Sequence, residues 1–196
     1  MTLPWVETKA FQDQVVLIVG AGQGIGEGLA RRFAEAGAAV VACDCIAERS
    51  KAIEESLKSE GLNVSGFTVD ITRMDQIESL FGRVLAEFPR LDVLINSAGF
   101  NRRVPFRETD ETLWDQTQNV NLKGPFRLCA LFGKRMADAN GGSIINVSSV
   151  AAVQPTAGGG ITGPSACRRE VRGERREVRA RGWEAKGDRE AESERG

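Results

Sequence analysis

Three glycines near the start of the chain have the spacing of a phosphate-binding turn. Gly20, Gly24 and Gly26 follow an apolar run of strand length, and a helical pattern of apolar residues follows them. Small residues let the backbone approach a pyrophosphate, and the helix N-terminus offers free N–H groups and a positive dipole end. Glycines mark any tight turn, so the motif alone is weak. Its strand–turn–helix context favours a dinucleotide cradle, in which Gln23 and Ile25 also take part.

An acidic residue, Asp44, is expected at the end of the second strand. A carboxylate there accepts hydrogen bonds from the adenosine ribose hydroxyls and repels a 2′-phosphate. No Arg or Lys stands inside the glycine turn, where Gln23 lies, or directly after Asp44. These residues favour NAD over NADP as the cofactor. The alternative for Asp44 is an ordinary turn residue at a strand end.

Composition bounds the other classes of function. The chain has 196 residues and a net charge of −1, which gives no electrostatic case for binding nucleic acid or membranes. No apolar run approaches the roughly 20 residues that span a bilayer, and the N-terminus has no signal pattern. The four cysteines form no C-x-x-C pair, which predicts reduced thiols and a cytoplasmic location. Histidine and tyrosine are both absent, so His-based catalysis and His-ligated metal sites are excluded, and no metal is expected.

Strands and helices are predicted to alternate along residues 14–166 at the spacing of βαβ units. Right-handed crossovers then place helices on both faces of a parallel sheet. The predicted fold is α/β, a Rossmann-type doubly wound parallel sheet of about five strands, with the ligand across the carboxyl ends of the strands. The predicted strands are 15–19, 38–43, 64–69, 91–95 and 143–147, and the predicted helices are 26–36, 47–59, 75–88 and one or two within 112–140.

Five segments, in this order, resemble the short-chain dehydrogenase/reductase family over about residues 11–165. They are the G-x-x-x-G-x-G turn, Asp70-Ile71, Asn96-Ser97-Ala98-Gly99, the helical segment 119–124 and the strand segment 144–149. The resemblance implies that Asp70 and Ile71 contact the adenine. It also implies that Asn96, Ala98 and Gly99 contribute to cofactor binding. Each segment has an ordinary structural alternative, such as a strand-end turn for 96–99.

The family's chemistry is hydride transfer between a nicotinamide and an alcohol or carbonyl carbon. The resemblance implies that Ser149 binds the substrate oxygen and that Asn121 helps to organise a proton-relay water. The family's proton-transferring Tyr and the Lys four residues later are missing, because Thr162 and Ala166 stand at their positions. A phenol titrates near pH 10 and an aliphatic alcohol is a far weaker acid. General acid–base catalysis contributes typically about 10²–10⁴-fold, so a large loss is expected.

The composition changes where the catalytic residues are lost. Residues 1–13 are a short lead-in, whereas residues 167–196 are a charged low-complexity tail with few apolar residues, which predicts disorder. The acidic residues of the tail nearly cancel its arginines, which argues against RNA binding. The fifth strand is then expected to have one unpaired edge, with reduced stability. One hypothesis is that residues from about 162 onward come from a shifted reading frame, an alternative exon or a gene-model error.

Two functions stay open. The first is an NAD-dependent oxidoreductase of a small alcohol or carbonyl substrate with weak or no turnover. The second is a non-catalytic NAD-binding or interaction protein, such as a truncated isoform that pairs with a full-length relative. A homo-oligomer is the other association that we expect. Residues 162–166 discriminate between the two functions, because a Tyr and a Lys at these positions of the natural sequence would favour the enzyme.

Overall fold

The computed structural model describes residues 9–102, 104, 108–139 and 141–149, together with the backbone of 168–171. Strands and helices alternate through these residues, and a π-helical turn at Asn119–Lys123 joins the last two helices without a break. The strands are β1 (Val15–Val19), β2 (Ala39–Asp44), β3 (Val64–Thr68), β4 (Val93–Asn96), β5 (Gly142–Asn146) and β6 (Arg168–Val171). The helices are α1 (Gly24–Glu35), α2 (Ala47–Ser59), α3 (Met74–Glu87), α4 (Glu111–Gln118) and α5 (Gly124–Asp138).

The sheet has the strand order β3-β2-β1-β4-β5-β6, and its first five strands are parallel. The predicted Rossmann-type parallel sheet is therefore confirmed. Strands are added on one side of β1 as far as β3 and then on its other side from β4 onward. The loops after β1 and β4 diverge at this switch point, which is where open α/β sheets bind their ligands.

The expected unpaired edge of β5 is wrong. Residues Arg168–Val171 form β6, which pairs antiparallel with β5 and places Ile145 opposite Arg168. A charged segment can do this because strand pairing uses backbone N–H and C=O groups, and charged residues are typical of edge strands. The rest of the predicted disordered tail, together with Thr162 and Ala166, lies outside the described residues.

Helices cover both faces of the sheet. On one face, α3 and α5 pack on alternate residues of β1, among them Leu17 and Val19, and Phe132 of α5 is fully buried there. On the other face, α1 and α2 pack on Val16 and Ile18. Because β1 is buried on both sides, its sequence is a continuous run of apolar residues. Each such buried side chain stabilises the fold by about 1.5–3 kcal/mol, which fixes the strand ends that carry the site.

The apolar residues of the last helical segments differ in burial. Leu128 and Met136 are buried, whereas Leu122 is 45% exposed and Phe126 is 69% exposed. Both lie in or just after the π-helical turn Asn119–Lys123. A π-helical turn closes its hydrogen bonds over one more residue than an α-helical turn, so it shifts the positions that face the core.

Candidate cofactor site at the carboxyl edge of the sheet

Loops from neighbouring strands are hydrogen-bonded to one another at this edge. The N–H of Ser97, after β4, donates to the carbonyl of Val19 at 2.9 Å. The N–H of Val147, after β5, donates to the carbonyl of Asn96 at 2.9 Å. Backbone N–H groups of the glycine turn likewise donate hydrogen bonds to a backbone carbonyl near the end of β2. The fold therefore brings the predicted glycine, N-S-A-G and serine segments to one edge of the sheet.

The glycine turn packs so closely that side chains are excluded from it. A Cβ at Gly26 would lie 1.9 Å from the carbonyl oxygen of Gly20, and a Cβ at Gly20 would lie 2.6 Å from the Cα of Ala98. Gly20 and Gly24 also have φ values of 84° and 60°, which favour glycine. A Cβ at Gly24 would meet nothing within 4 Å, so this side of the turn is open. A backbone cradle with an open face fits a pyrophosphate.

The first turn of α1 faces this opening. Its N-cap residue, Gln23, makes no side-chain capping hydrogen bond. Gln23, Gly24 and Ile25 are exposed, and the apolar side chain of Ile25 is 67% exposed. Unsatisfied N–H groups at a helix N-terminus attract anions. Gln23, Gly24 and Ile25 are thus accessible to a ligand.

Asp44 is buried and held in a fixed orientation at the end of β2. It is 6% exposed, its Oδ2 accepts a hydrogen bond from the N–H of Gly22 at 3.1 Å, and its Oδ1 accepts one from the N–H of Ile46 at 3.0 Å. Asp44 therefore shapes the turns around it, as its alternative interpretation expects. A carboxylate oxygen has two lone pairs, so each oxygen can still accept a ribose hydroxyl.

The side chains of Asp70 and Ile71 differ in their exposure to solvent. Oδ1 of Asp70 accepts hydrogen bonds from the N–H and the hydroxyl of Thr72, at 2.9 and 2.8 Å. Ile71 is only 5% exposed and belongs to the core, and a Cβ at Gly124 would lie 2.9 Å from it. The side chain of Ile71 thus packs beneath the start of α5. The adenine contact implied for this pair stays a prediction.

Asn96 ties β4 to β5 beneath the site. Its side chain is 3% exposed, and its Nδ2 donates to Oδ1 of Asn146 at 2.8 Å and to Sγ of Cys129 at 3.4 Å. Its Oδ1 is buried and has no hydrogen-bond partner among the described residues. Ala98 and Gly99, farther along the same loop, are half-buried and exposed. Of this segment, the residues beyond the buried Asn96 side chain are the ones that a ligand can reach.

The two expected catalytic residues occupy different settings. Asn121 lies in the π-helical turn, and its side-chain amide makes two hydrogen bonds with the backbone of Phe100, each of 2.8 Å. Ser149 is exposed and lies just after β5, next to the half-buried Ser148. The roles of Ser149 and Asn121 stay predictions.

Sequence reasoning missed one charged residue beside the Asp44 carboxylate. The Cβ of Arg49, in the first turn of α2, would lie 2.6 Å from a Cβ added to Gly22, and Oδ2 of Asp44 lies equally close to that position. Cys45 is also nearby. Partial burial raises the pKa of its thiol, and Asp44 raises it further, while Arg49 acts in the opposite direction. The spacing of Asp44 and Arg49 across the start of a helix was the signal that could have shown this.

Within the ranges that the structure describes, no cluster of three or more His, Cys, Asp or Glu side chains could hold a metal ion. No helix in those ranges combines the length and the apolar character needed to cross a bilayer.

The family model described as short chain dehydrogenase matches residues 14–163. The chain belongs to the short-chain dehydrogenase family. The match includes the glycine turn, the N-S-A-G loop and the serine strand, so the resemblance drawn from the five segments is confirmed. Because the match ends at residue 163, Ala166 lies beyond it.

Several relatives of this short-chain dehydrogenase are known. A D-threitol dehydrogenase from Mycolicibacterium smegmatis is 39% identical over 71% of this chain and 54% of its own length. An NAD-dependent glycerol dehydrogenase from Listeria innocua is 34% identical over 72% of this chain and 54% of its own. A metagenomic short-chain oxidoreductase solved in complex with NADP is 35% identical, with a TM-score of 0.72 over 76% of this chain and 68% of its own. The chain thus spans a little over half the length of these curated relatives.

Proposed function

We propose that this short-chain dehydrogenase binds NAD(H) in preference to NADP(H). By family it is an oxidoreductase of a small alcohol or carbonyl substrate, and with this sequence it has weak or no turnover. The observation that carries the cofactor preference is the Asp44 carboxylate, which is fixed by the N–H groups of Gly22 and Ile46 beside the open glycine turn. A fixed negative charge at the ribose edge disfavours a 2′-phosphate.

The relatives do not decide the cofactor. One is described as NAD-dependent and another was solved with NADP. The preference therefore rests on this chain's own residues, and the fit of the backbone cradle at Gly20, Gly24 and Gly26 supports binding of either dinucleotide. A bound nicotinamide supplies or accepts the hydride.

The residues proposed for substrate chemistry are Ser149 and Asn121. Ser149 is exposed just after β5, and the proposed role of its hydroxyl is to hydrogen-bond a substrate oxygen. Asn121 acts as a positioning residue, because both ends of its amide are bonded to Phe100. Neither residue replaces the acid that delivers the proton. Thr162 is too weak an acid for this step, and Ala166 brings no cation that would lower its pKa.

A non-catalytic NAD-binding or interaction protein is the second candidate function. It is favoured by a specific observation: the whole chain contains no tyrosine and no histidine that could take over proton transfer. A cytoplasmic location accompanies both proposals. Its support is that no disulfide joins the described cysteines Cys43, Cys45 and Cys129, as is usual in a reducing compartment.

Association with another chain is also part of the proposal. Leu122 and Phe126 are exposed one helical turn apart, and Trp114 is 47% exposed on the preceding helix. Exposed apolar side chains that are grouped on consecutive helices are typical of association surfaces. We propose that a second copy of this chain, or a full-length relative, covers them.

The turnover proposal is tested by comparing three proteins in an NADH absorbance assay with small polyols. These are the unmodified chain, the double variant Thr162→Tyr/Ala166→Lys, and a control Thr162→Phe/Ala166→Lys that lacks the phenol hydroxyl. We expect no turnover above background from the first and the third. An unmodified chain that turns over at an ordinary rate of about 10 per second would contradict the proposal. Cofactor binding without turnover in all three would favour the non-catalytic function.

A further inference from the structure

Arg49 is placed where the ribose edge of the proposed cofactor site lies. Gly22 has no room for a side chain, because its Cβ would come within 2.6 Å of both the Arg49 Cβ and Oδ2 of Asp44. The turn, the acidic residue and the stem of the arginine therefore meet at one point. Arg49 is half-buried, and its Cβ lies against Gly22 of the glycine turn.

Among the residues that the structure describes, Arg49 has no carboxylate within ion-pair distance. Both oxygens of Asp44 accept backbone N–H groups. Among the described residues Arg49 forms no ion pair, whereas Lys51 and Lys58 of the same helix pair with Glu55 and Glu54. A half-buried arginine without a carboxylate partner in the described part of the chain is well suited to an anionic ligand group.

The position of Arg49 in α2 is also unfavourable for a purely structural role. It lies in the first turn of the helix, where the helix dipole favours negative charge. The thiol of Cys45 responds to both neighbouring charges, since Asp44 raises its pKa and Arg49 lowers it. The positive and negative charges thus act on the same small region at the end of β2.

We propose that Arg49 is a second determinant of cofactor selectivity, which contacts the 2′-phosphate of NADP(H) and partly offsets its repulsion by Asp44. This inference rests on the proposed function, because it requires a dinucleotide in the glycine turn. A guanidinium matches the geometry of a phosphate and binds it by charge-assisted hydrogen bonds. NAD(H), which has no phosphate at this position, cannot use that interaction. Arg49 therefore reduces the degree to which the protein prefers NAD(H) over NADP(H).

The test compares the dissociation constants of NADH and NADPH by calorimetry for the unmodified chain, Arg49→Gln, Arg49→Lys and Lys51→Gln. Lys51 is a matched control, because its removal takes the same charge from the same helix at a site 74% exposed and paired with Glu55. We expect Arg49→Gln to raise the ratio of the NADPH constant to the NADH constant roughly ten-fold, the loss expected for one charge-assisted contact. Arg49→Lys should raise it less, and Lys51→Gln should change it by less than about two-fold.

Each outcome has a distinct meaning. If the unmodified chain binds NADH and the ratio is the same in Arg49→Gln and Lys51→Gln, the role of Arg49 is overturned and the proposed function stands. If the unmodified chain binds neither cofactor, the proposed function fails and the inference fails with it. Retained NADH binding by Arg49→Gln also shows that this variant is folded.

Discussion

The side-chain amide of Asn121 forms two hydrogen bonds with the backbone of Phe100, as a neighbouring strand would. The N–H of Phe100 donates to Oδ1 of Asn121 at 2.8 Å, and Nδ2 of Asn121 donates to the carbonyl of Phe100 at 2.8 Å. The bonds connect the π-helical turn with the loop that follows β4, and Gly99 lies in that loop next to the proposed cofactor site. Asn121 thus fixes the path of a loop at the carboxyl edge of the sheet.

Replacing Asn121 should therefore loosen this loop. We expect Asn121→Ala to lower the free energy of unfolding by about 1–3 kcal/mol, because two partly buried backbone groups lose their partners. Asn119→Ala is the control, since Asn119 lies in the same turn and makes no side-chain hydrogen bond to the described residues. Urea denaturation followed by circular dichroism measures both. Equal losses in the two variants would show that the Phe100 contacts do not matter.

Two glycines of α1 should respond oppositely to alanine. Gly26→Ala places a Cβ 1.9 Å from the carbonyl oxygen of Gly20, so we expect lower stability and weaker cofactor binding. A Cβ at Gly28, which is exposed in the same helix, would meet nothing within 4 Å. Gly28→Ala should raise the free energy of unfolding by about 0.5–1 kcal/mol. Thermal and urea unfolding test the pair, and a stable, fully binding Gly26→Ala protein would refute the close packing.

The raised pKa of Cys45 predicts slow alkylation. Partial burial is the main cause and Asp44 the next, so the thiolate of Cys45 forms at higher pH than that of a free cysteine. The midpoint of its iodoacetamide reaction against pH should thus lie above the usual thiol value, and Asp44→Asn should move the midpoint down. Peptide mass spectrometry follows the modification, with Cys45→Ser to identify the signal. A midpoint that stays in place or rises in Asp44→Asn would contradict the electrostatic explanation.

The exposed apolar residues of the π-helical turn and α5 predict an oligomer. We expect the unmodified chain to elute as a dimer or larger species in size-exclusion chromatography with light scattering. The double variant Leu122→Glu/Phe126→Glu should shift it to the monomer, because charges at a buried interface are costly. Lys134→Glu, also exposed on α5, is the control. A monomeric unmodified chain at high concentration would exclude association through this face.

Local sequence patterns were sufficient for the sheet and for the cradle. The continuously apolar run Val15–Val19 predicts a strand buried on both faces, and it is buried on both faces. The glycine spacing predicts a close turn, and the space around Gly20 and Gly26 admits no Cβ. These features depend on the pattern within a few residues, which is why the sequence reveals them.

Features that depend on distant parts of the chain were not predictable in this way. The bonds of Asn121 to Phe100 join residues that are remote in sequence, and the meeting of Arg49 with Gly22 follows from the neighbouring positions of β1 and β2 in the sheet. The exposure of Phe126 depends on a π-helical turn that no simple periodicity predicts. Strand pairing depends on backbone hydrogen bonds, so side-chain patterns did not indicate the pairing of β6 with β5.

The most direct test of NAD binding is calorimetric titration of the purified chain, with this sequence, first with NADH and then with NADPH. We predict saturable binding of NADH and weaker binding of NADPH, with Asp44 as the source of the difference. Asp44→Asn should narrow that difference. The absence of NADH binding, or tighter binding of NADPH than of NADH, would contradict the proposed function.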